Sequence, residues 1–365
     1  PDQECQQPIT AMAVGADGVV WVAVGPETLV RYDGAAWEVI EVGGESEVPS
    51  GASAWASSLT VAPDGTLWAA GWEEVLSFDG TIWTRYAAGD GLPDGGIGSI
   101  AVAADGTVWA GAISDGLSET AGGLARREGS GWATVTEQDG LFSKDIRSLT
   151  VAEDGTLWAV HGAASDGTPL PGTRRAGGAL SRFDGDAWST VFLDEVGGGF
   201  GMGSAVDHQG TLWVASRWGI VGSDGDEAIG LRVPESMVPA GADETPSAES
   251  PFVNPSGEAP DTRPIDQIQD IAFTPDGSLW AATQGGAVRW DLSTGSATVF
   301  TEDDGLPATQ VRAVATLPDG SVWIAAGPGV LARYDGAAWN TFEKPGGIDL
   351  RPIGTIEAGS DGTLW

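Results

Sequence analysis

The sequence predicts an all-β chain folded as a β-propeller of four-stranded antiparallel blades. Three observations lead there. A block reading Asp-Gly, two residues, then Trp recurs along the 365 residues, its copies lie about a blade apart, and Gly (56) and Trp (17) are abundant while Met (3) and Cys (1) are scarce. Chains of this composition favour many short strands joined by tight turns, and self-similarity at a blade-sized period marks a repeat architecture.

The block occurs at Asp17-Gly18 to Trp21, Asp64-Gly65 to Trp68, Asp105-Gly106 to Trp109, Asp154-Gly155 to Trp158, Asp276-Gly277 to Trp280, Asp319-Gly320 to Trp323 and Asp361-Gly362 to Trp365. A variant, His208-Gln209-Gly210 to Trp213, fills the remaining gap. Successive Trp residues are 47, 41, 49, 55, 67, 43 and 42 apart, so the short spacings fit a four-stranded blade and the long ones imply loop insertions. Each block sits between alternating apolar stretches, such as Ile100-Ala101-Val102-Ala103 and Thr107-Val108-Trp109-Ala110. Asp-Gly between such runs signals a hairpin whose turn needs positive φ, which Gly and Asp tolerate. The Trp is then expected to fill the space between neighbouring blades.

A second motif follows each block. It reads Arg31-Tyr32-Asp33-Gly34 to Trp37, Ser77-Phe78-Asp79-Gly80 to Trp83, Arg182-Phe183-Asp184-Gly185 to Trp188 and Arg333-Tyr334-Asp335-Gly336 to Trp339, with looser copies at Arg127-Glu128-Gly129 to Trp132 and Arg289-Trp290-Asp291. This second hairpin completes a blade of strands A to D, with tight A–B and C–D turns.

The units resemble the two-component-regulator propeller repeats of bacterial sensor proteins, in which Gly-Leu-Pro, a spacer and an alternating strand lead to Asp-Gly-x-Leu-Trp. Here Gly91-Leu92-Pro93 leads to Trp109, Gly140-Leu141-Phe142 to Trp158 and Gly305-Leu306-Pro307 to Trp323. The resemblance spans nearly the whole chain except residues 1–7 and about 233–265, and the fifth unit departs from it at Gly222-Ser223-Asp224-Gly225. It implies a propeller and sensing or binding outside the cytoplasm, and it carries no catalytic residues across. Streptogramin-lyase propellers are similar in repeat spacing, but their catalysis depends on clustered histidines that this chain lacks.

Seven full units are expected at about 8–43, 57–90, 97–140, 146–196, 200–232, 266–305 and 310–346, with 352–365 supplying the first hairpin of another. Eight blades, the last incomplete, are preferred because an overhanging half-blade exposes an apolar edge; seven is the alternative. The whole chain, 1–365, reads as one propeller with an N-terminal tail (1–7) and a Pro/Ser/Glu-rich insertion at 233–265.

Charge narrows the partners. With 52 acidic against 17 basic residues the formal net charge is −35, which repels phosphate backbones and anionic headgroups, so nucleic acid and bare membrane are poor partners. Apolar runs are strand-sized, so direct membrane insertion is not expected. Cys5 is the sole cysteine, excluding an intrachain disulfide, and the tail around it has neither an apolar stretch nor an initiator Met, as expected of a processed or trimmed chain.

Strand order separates two faces. In an antiparallel meander the A–B and C–D turns share one end, while B–C loops and D–A connections share the other. The irregular segments Glu45–Ser53 and Pro234–Pro264 are D–A connections, and Ser114–Gly122 and His161–Gly177 are B–C loops. All four fall on the loop end, where insertions commonly mark a binding face.

That end supplies the ligand-binding candidates: Trp72 and Glu73, Ser114 and Asp115, Arg174 and Arg175, and Arg217 and Trp218. An aromatic beside a charge suits sugar, peptide or aromatic recognition, and equally a packed blade edge. Arg217 and Trp218 stand out because a basic residue is conspicuous in so acidic a chain. His161, ending strand B of blade 4, is a further candidate, whereas His208 lies in an A–B turn and reads as a substitute for Asp. One Asp per turn falls short of a calcium loop, leaving Glu302, Asp303 and Asp304 as weak candidates for a cation such as Ca2+. Nucleophile-elbow, zinc and phosphate-loop motifs are absent, so no catalytic residues are assigned.

The sequence is thus read as a non-catalytic, extracytoplasmic module (secreted, cell-surface or periplasmic) that binds a small molecule, glycan or protein on its loop face. The alternatives are a propeller lyase or hydrolase with a cation near the axis, and a self-assembling subunit of a surface structure or filament.

Overall fold

The structure, a computed structural model, describes residues 9–15, 17–24, 28–41, 57–71, 74–114, 122–162, 177–197, 204–216, 219–225, 228–231, 268–327, 329–342, 353–359 and 362–365. Among these residues, twenty-eight strands form seven four-stranded antiparallel sheets, each with its strands side by side in chain order. These are the blades of a β-propeller, at 9–41, 58–86, 96–135, 146–197, 204–231, 268–300 and 311–342. Seven complete blades are present, the alternative count, and a hairpin follows them. In it Glu357 N–H donates to Trp365 O (2.9 Å) and Trp365 N–H to Glu357 O (2.8 Å). The chain divides into two compact units, Pro1–His161 with Phe183–Ser189, and Gly162–Arg182 with Thr190–Trp365. No helix among the described residues is long and apolar enough to cross a membrane.

The A–B turns differ in detail from the expected Asp-Gly turn. Gly65 N–H donates to Ala62 O (2.9 Å) and Ala62 N–H to Thr66 O (2.8 Å), with the positive φ on Gly65 (89°). Asp64 contributes its carboxylate, whose Oδ1 accepts from Thr66 N–H at 2.9 Å. The same bond recurs at Asp17, Asp105, Asp154, Asp276 and Asp319. A short acidic side chain bonding its own backbone two residues on is what favours Asp here.

Blade 5 solves this turn another way, which corrects the reading of His208. Gln209 occupies the aspartate position, and Asp207 reaches in from two residues earlier. Its Oδ1 accepts from Gln209 N–H (2.9 Å) and Thr211 N–H (3.0 Å), and its Oδ2 from Trp213 Nε1 (2.9 Å). His208 is therefore a bystander, not the replacement.

The Gly-Leu-Pro/Phe motif builds the D–A connection. A single 3-10 turn at Ala88–Asp90, Glu137–Asp139 or Glu302–Asp304 ends on a left-handed glycine, Gly91, Gly140 or Gly305. The next residue, Leu92, Leu141 or Leu306, is then buried between blades. At Gly91 (φ 98°) a Cβ would lie 2.1 Å from the main-chain oxygen of Trp132 in the next blade. Both strain and collision fall on backbone, so Gly91→Ala is expected to destabilise the protein by about 3 kcal/mol. A urea midpoint unchanged by this substitution would show that the connection can shift freely.

The core lies between successive blades. Trp21, Leu29, Leu59, Leu67 and Leu76 fill the first interface, and Trp280, Val311, Val314 and Ile324 fill that of blades 6 and 7. The strand-B tryptophan meets the strand-D tryptophan of the following blade edge-on. The ring centroids are 5.9 Å apart for Trp68–Trp132, 6.1 Å for Trp109–Trp188 and 6.1 Å for Trp280–Trp339, with interplanar angles of 88°, 89° and 83°. Edge-to-face contact suits the opposed charge of ring rim and face.

Innermost strands are further joined by a side-chain clasp. Ser58 Oγ accepts from Ile100 N–H (3.3 Å), Ser99 Oγ from Leu149 N–H (3.0 Å), and Asp270 Oδ2 from Val314 N–H (3.0 Å). The three residues hold one register position, opposite Ala70, Gly111 and Ala282 of their strands B. Backbone groups on strand A that lack a sheet neighbour are thereby satisfied.

Candidate functional site

At the loop end, in the first unit, two groups of charged side chains break the repeat. Glu74 immediately precedes strand C of blade 2 (Val75–Phe78), its carbonyl accepting from Gly71 N–H (2.9 Å), at a position where blades 3 and 6 carry Gly123 and Gly286. It is only 3% exposed, and its Oε2 accepts from Arg85 Nε on strand D, which stays half-exposed. Its other oxygen, Oε1, is buried with no hydrogen-bond partner. A desolvated carboxylate oxygen at a position that blades 1 and 7 fill with the uncharged Thr28 and Val330 and blades 3 and 6 with glycine is a local inconsistency of the kind found at functional positions.

The second group joins blades 3 and 4. Asp145 Oδ1 accepts from Ser114 N–H (3.0 Å), and Oδ2 takes Arg147 Nε (3.1 Å) and Nη2 (3.0 Å). Gly122 N–H donates to Asp94 O at 2.7 Å, which ties blade 3 to the connection arriving from blade 2. His161 lies beneath, 0% exposed, with its ring 5.6 Å from that of Phe142. Burial pushes its pKa down to about 4, against hydrogen bonds to the backbone at Asp145 and Ser143 that favour the charged form. The imidazole is therefore neutral at physiological pH and braces the connection from inside.

Of the sequence candidates, Ser114 and His161 are brought to this junction, Ser114 through its backbone and His161 below the surface. Trp72, Glu73, Asp115, Arg174, Arg175, Arg217 and Trp218 lie outside the described residues. Glu302, Asp303 and Asp304 form one of the 3-10 turns. There Asp304 Oδ2 accepts from Thr301 N–H (2.9 Å) and Glu302 Oε1 from Thr309 N–H (3.0 Å), so two of the three carboxylates serve the connection itself. Among the described residues, no three His, Cys, Asp or Glu side chains converge as a metal-holding group.

The second unit holds a pair that sequence reasoning missed. Asp270 is half-buried, and loss of hydration raises its pKa to about 6, although Val314 N–H and Ile271 N–H both donate to it. Glu357 stands opposite Trp365, where the blades place Ala or Thr opposite their strand-B tryptophan, as at Ala13, Thr60, Ala101 and Ala272. Loss of hydration, and then the charge of Asp270, raise its pKa to about 7. The Glu357 side chain is itself exposed to solvent. The available signal was an acid inside an apolar strand, Ile268-Gln269-Asp270-Ile271, at a position where blades 2, 3 and 4 carry Ser58, Ser99 and Ser148 and blade 7 carries Ala313.

Comparison with known proteins gives the fold and no family. No protein-family profile and no curated protein matches the chain. Among solved structures it is similar to PorZ, an essential bacterial surface component of the type-IX secretion system of Porphyromonas gingivalis (18% identity, TM-score 0.57). That match covers 94% of this chain and 48% of PorZ, so the chain spans about half of that protein's length. It is also similar to a catalytically inactive virginiamycin B lyase from Staphylococcus aureus (13% identity, TM-score 0.56, covering 89% of this chain and 93% of that one). The Dos1 propeller is a third (10% identity, TM-score 0.61, covering 99% and 89%). At such identities the likeness shows the β-propeller fold alone.

Proposed function

We propose that this chain is a non-catalytic binding module working outside the cytoplasm, which recognises a glycan, small molecule or protein on its loop end. One observation carries the reading: in the first unit, buried or paired acidic side chains that the other blades do not repeat, Glu74 and Asp145, lie at that end. The turn end repeats one Asp-to-backbone bond in blade after blade. The loop end of the first unit holds the unrepeated pairs Glu74–Arg85 and Asp145–Arg147. Rigid blades presenting variable loops are a common way to build a binding surface. The surface location of PorZ and the bound quinupristin of the virginiamycin lyase structure are compatible with it.

The test is a fluorescently labelled protein on arrays of bacterial-surface glycans and of peptides. Retained probes should be recovered unaltered by mass spectrometry. Glu74→Gln should weaken binding about tenfold, a loss of roughly 1.4 kcal/mol, while Thr81→Ala on the turn end leaves it unchanged. Binding that responds only to the turn-end substitution, or probes recovered chemically altered, would overturn the proposal.

A further inference from the structure

Strand A opens with a one-residue bulge at the loop end of several blades. The pairing skips Thr10 in blade 1, Gly98 in blade 3, Arg147 in blade 4, Gln269 in blade 6 and Arg312 in blade 7. Such a bulge turns one side chain out of the ladder. Thr, Gly and Gln serve there as well as Arg, so the bulge itself requires no cation.

The two arginines differ in what holds them, although each bonds the side chain two residues earlier. Arg147 meets the carboxylate of Asp145 through Nε (3.1 Å) and Nη2 (3.0 Å), which offsets its charge. Arg312 Nη2 instead donates to the neutral amide oxygen of Gln310 (3.0 Å), and no carboxylate among the described residues lies within ion-pair distance of it. Its Nε is buried without a partner, while the bond at Nη2 is exposed. Other arginines are paired or covered. Arg31, Arg289 and Arg333 meet carboxylates at 3.8, 3.1 and 3.0 Å, and Arg126 and Arg127 lie over aromatic rings. In a chain of net charge −35, an arginine that the fold gives no acid is a departure that a ligand would explain.

We propose that Arg312 anchors the carboxylate of an acidic sugar, with the Gln310 amide beside it for a ring hydroxyl. The assignment rests on the binding reading above and names the ligand's chemistry. A planar guanidinium matches a carboxylate through two parallel N–H donors, and water excluded from one edge strengthens the pair. Thr309 and Gln310 are both exposed, so the surroundings are polar and suit hydroxyl groups better than an apolar peptide side chain. Glu302, in the same connection, is already engaged by the N–H and hydroxyl of Thr309 (3.0 Å each). The ligand carries one carboxylate on a neutral frame, because the net charge of −35 repels a polyanion at longer range.

Calorimetric titration of the whole protein tests the anchor with two probes. One is a trisaccharide holding a single uronic acid, and the other is the same trisaccharide with its carboxyl reduced to an alcohol. The acid should bind at least about tenfold more tightly than the alcohol. Arg312→Gln should remove that preference. Gln310→Glu should remove it too, since it gives blade 7 the acidic partner that blade 4 has and leaves the arginine in place. Arg289→Gln, the same loss of charge at the turn end, should leave the preference intact. Equal binding of acid and alcohol overturns the proposal, as does failure of both to bind or a preference that survives Arg312→Gln. A peptide's free C-terminal carboxylate bound more tightly than the sugar acid also overturns it. If Arg312→Gln proves unfolded, Gln310→Glu decides. Binding of the alcohol that falls with Glu74→Gln and not with Arg312→Gln would sink this anchor while the wider binding reading stands.

Discussion

Trp280→Ala is expected to destabilise the protein by about 4 kcal/mol, the cost of deleting a fully packed tryptophan and leaving a cavity. Trp280 is 2% exposed, stacked on Phe300 (5.2 Å, 14°) and met edge-on by Trp339 (6.1 Å, 83°). Tyr334 adds a third ring at 5.4 Å, so one indole serves both blade 6 and blade 7. Trp37 makes the internal control. It is 54% exposed on the outer strand of blade 1, and Trp37→Ala should cost under about 1 kcal/mol. Urea unfolding of the two variants checks the pair. Similar midpoints would mean that the blade interfaces contribute little to stability.

The second large effect is acid sensitivity centred on His161. Its pKa of about 4 in the fold lies below the ordinary value of 6.5, so the unfolded chain takes up a proton that the folded chain refuses. Its contribution is therefore fully present above about pH 6.5 and is lost as pH falls towards 4. Between pH 7 and pH 5 the loss is about 2 kcal/mol, from roughly 1.36 kcal/mol per pH unit below the unfolded value. Asp270 and Glu357 act in the opposite direction, gaining stability on acidification, so the measurement must be a difference. The shift in urea midpoint from pH 7 to pH 5 should be smaller in His161→Leu than in the unaltered protein. An equal shift in both would place the acid sensitivity elsewhere.

The blades were legible because they obey local rules. Asp-Gly marked the turns, alternation marked the strands, and the tryptophans lie at the interfaces assigned to them. What Asp64 does was less legible, since a positive-φ requirement and a carboxylate-to-backbone bond favour the same residue. His208 was misread because Asp207 supplies that carboxylate from a neighbouring position, which spacing alone does not reveal. Connection length, charge and aromaticity in the sequence point to residues such as Arg217 and Trp218, which lie outside the described residues. Glu74 and Asp145 emerge only from burial and register, and Asp270 only when blades are aligned by hydrogen-bond partner.

The clasp between inner strands has a consequence for how such a chain can change over time. Ser58 and Ser99 grip the main chain of the next blade, not any side chain of it. A blade therefore brings its own fastening and makes no demand on its neighbour's sequence. Duplication, loss or reordering of a unit leaves such joints intact, so blade number can drift while each joint stays sound. The joint at Asp270 follows the same rule, because its carboxylate accepts from the main-chain N–H of Val314 in blade 7.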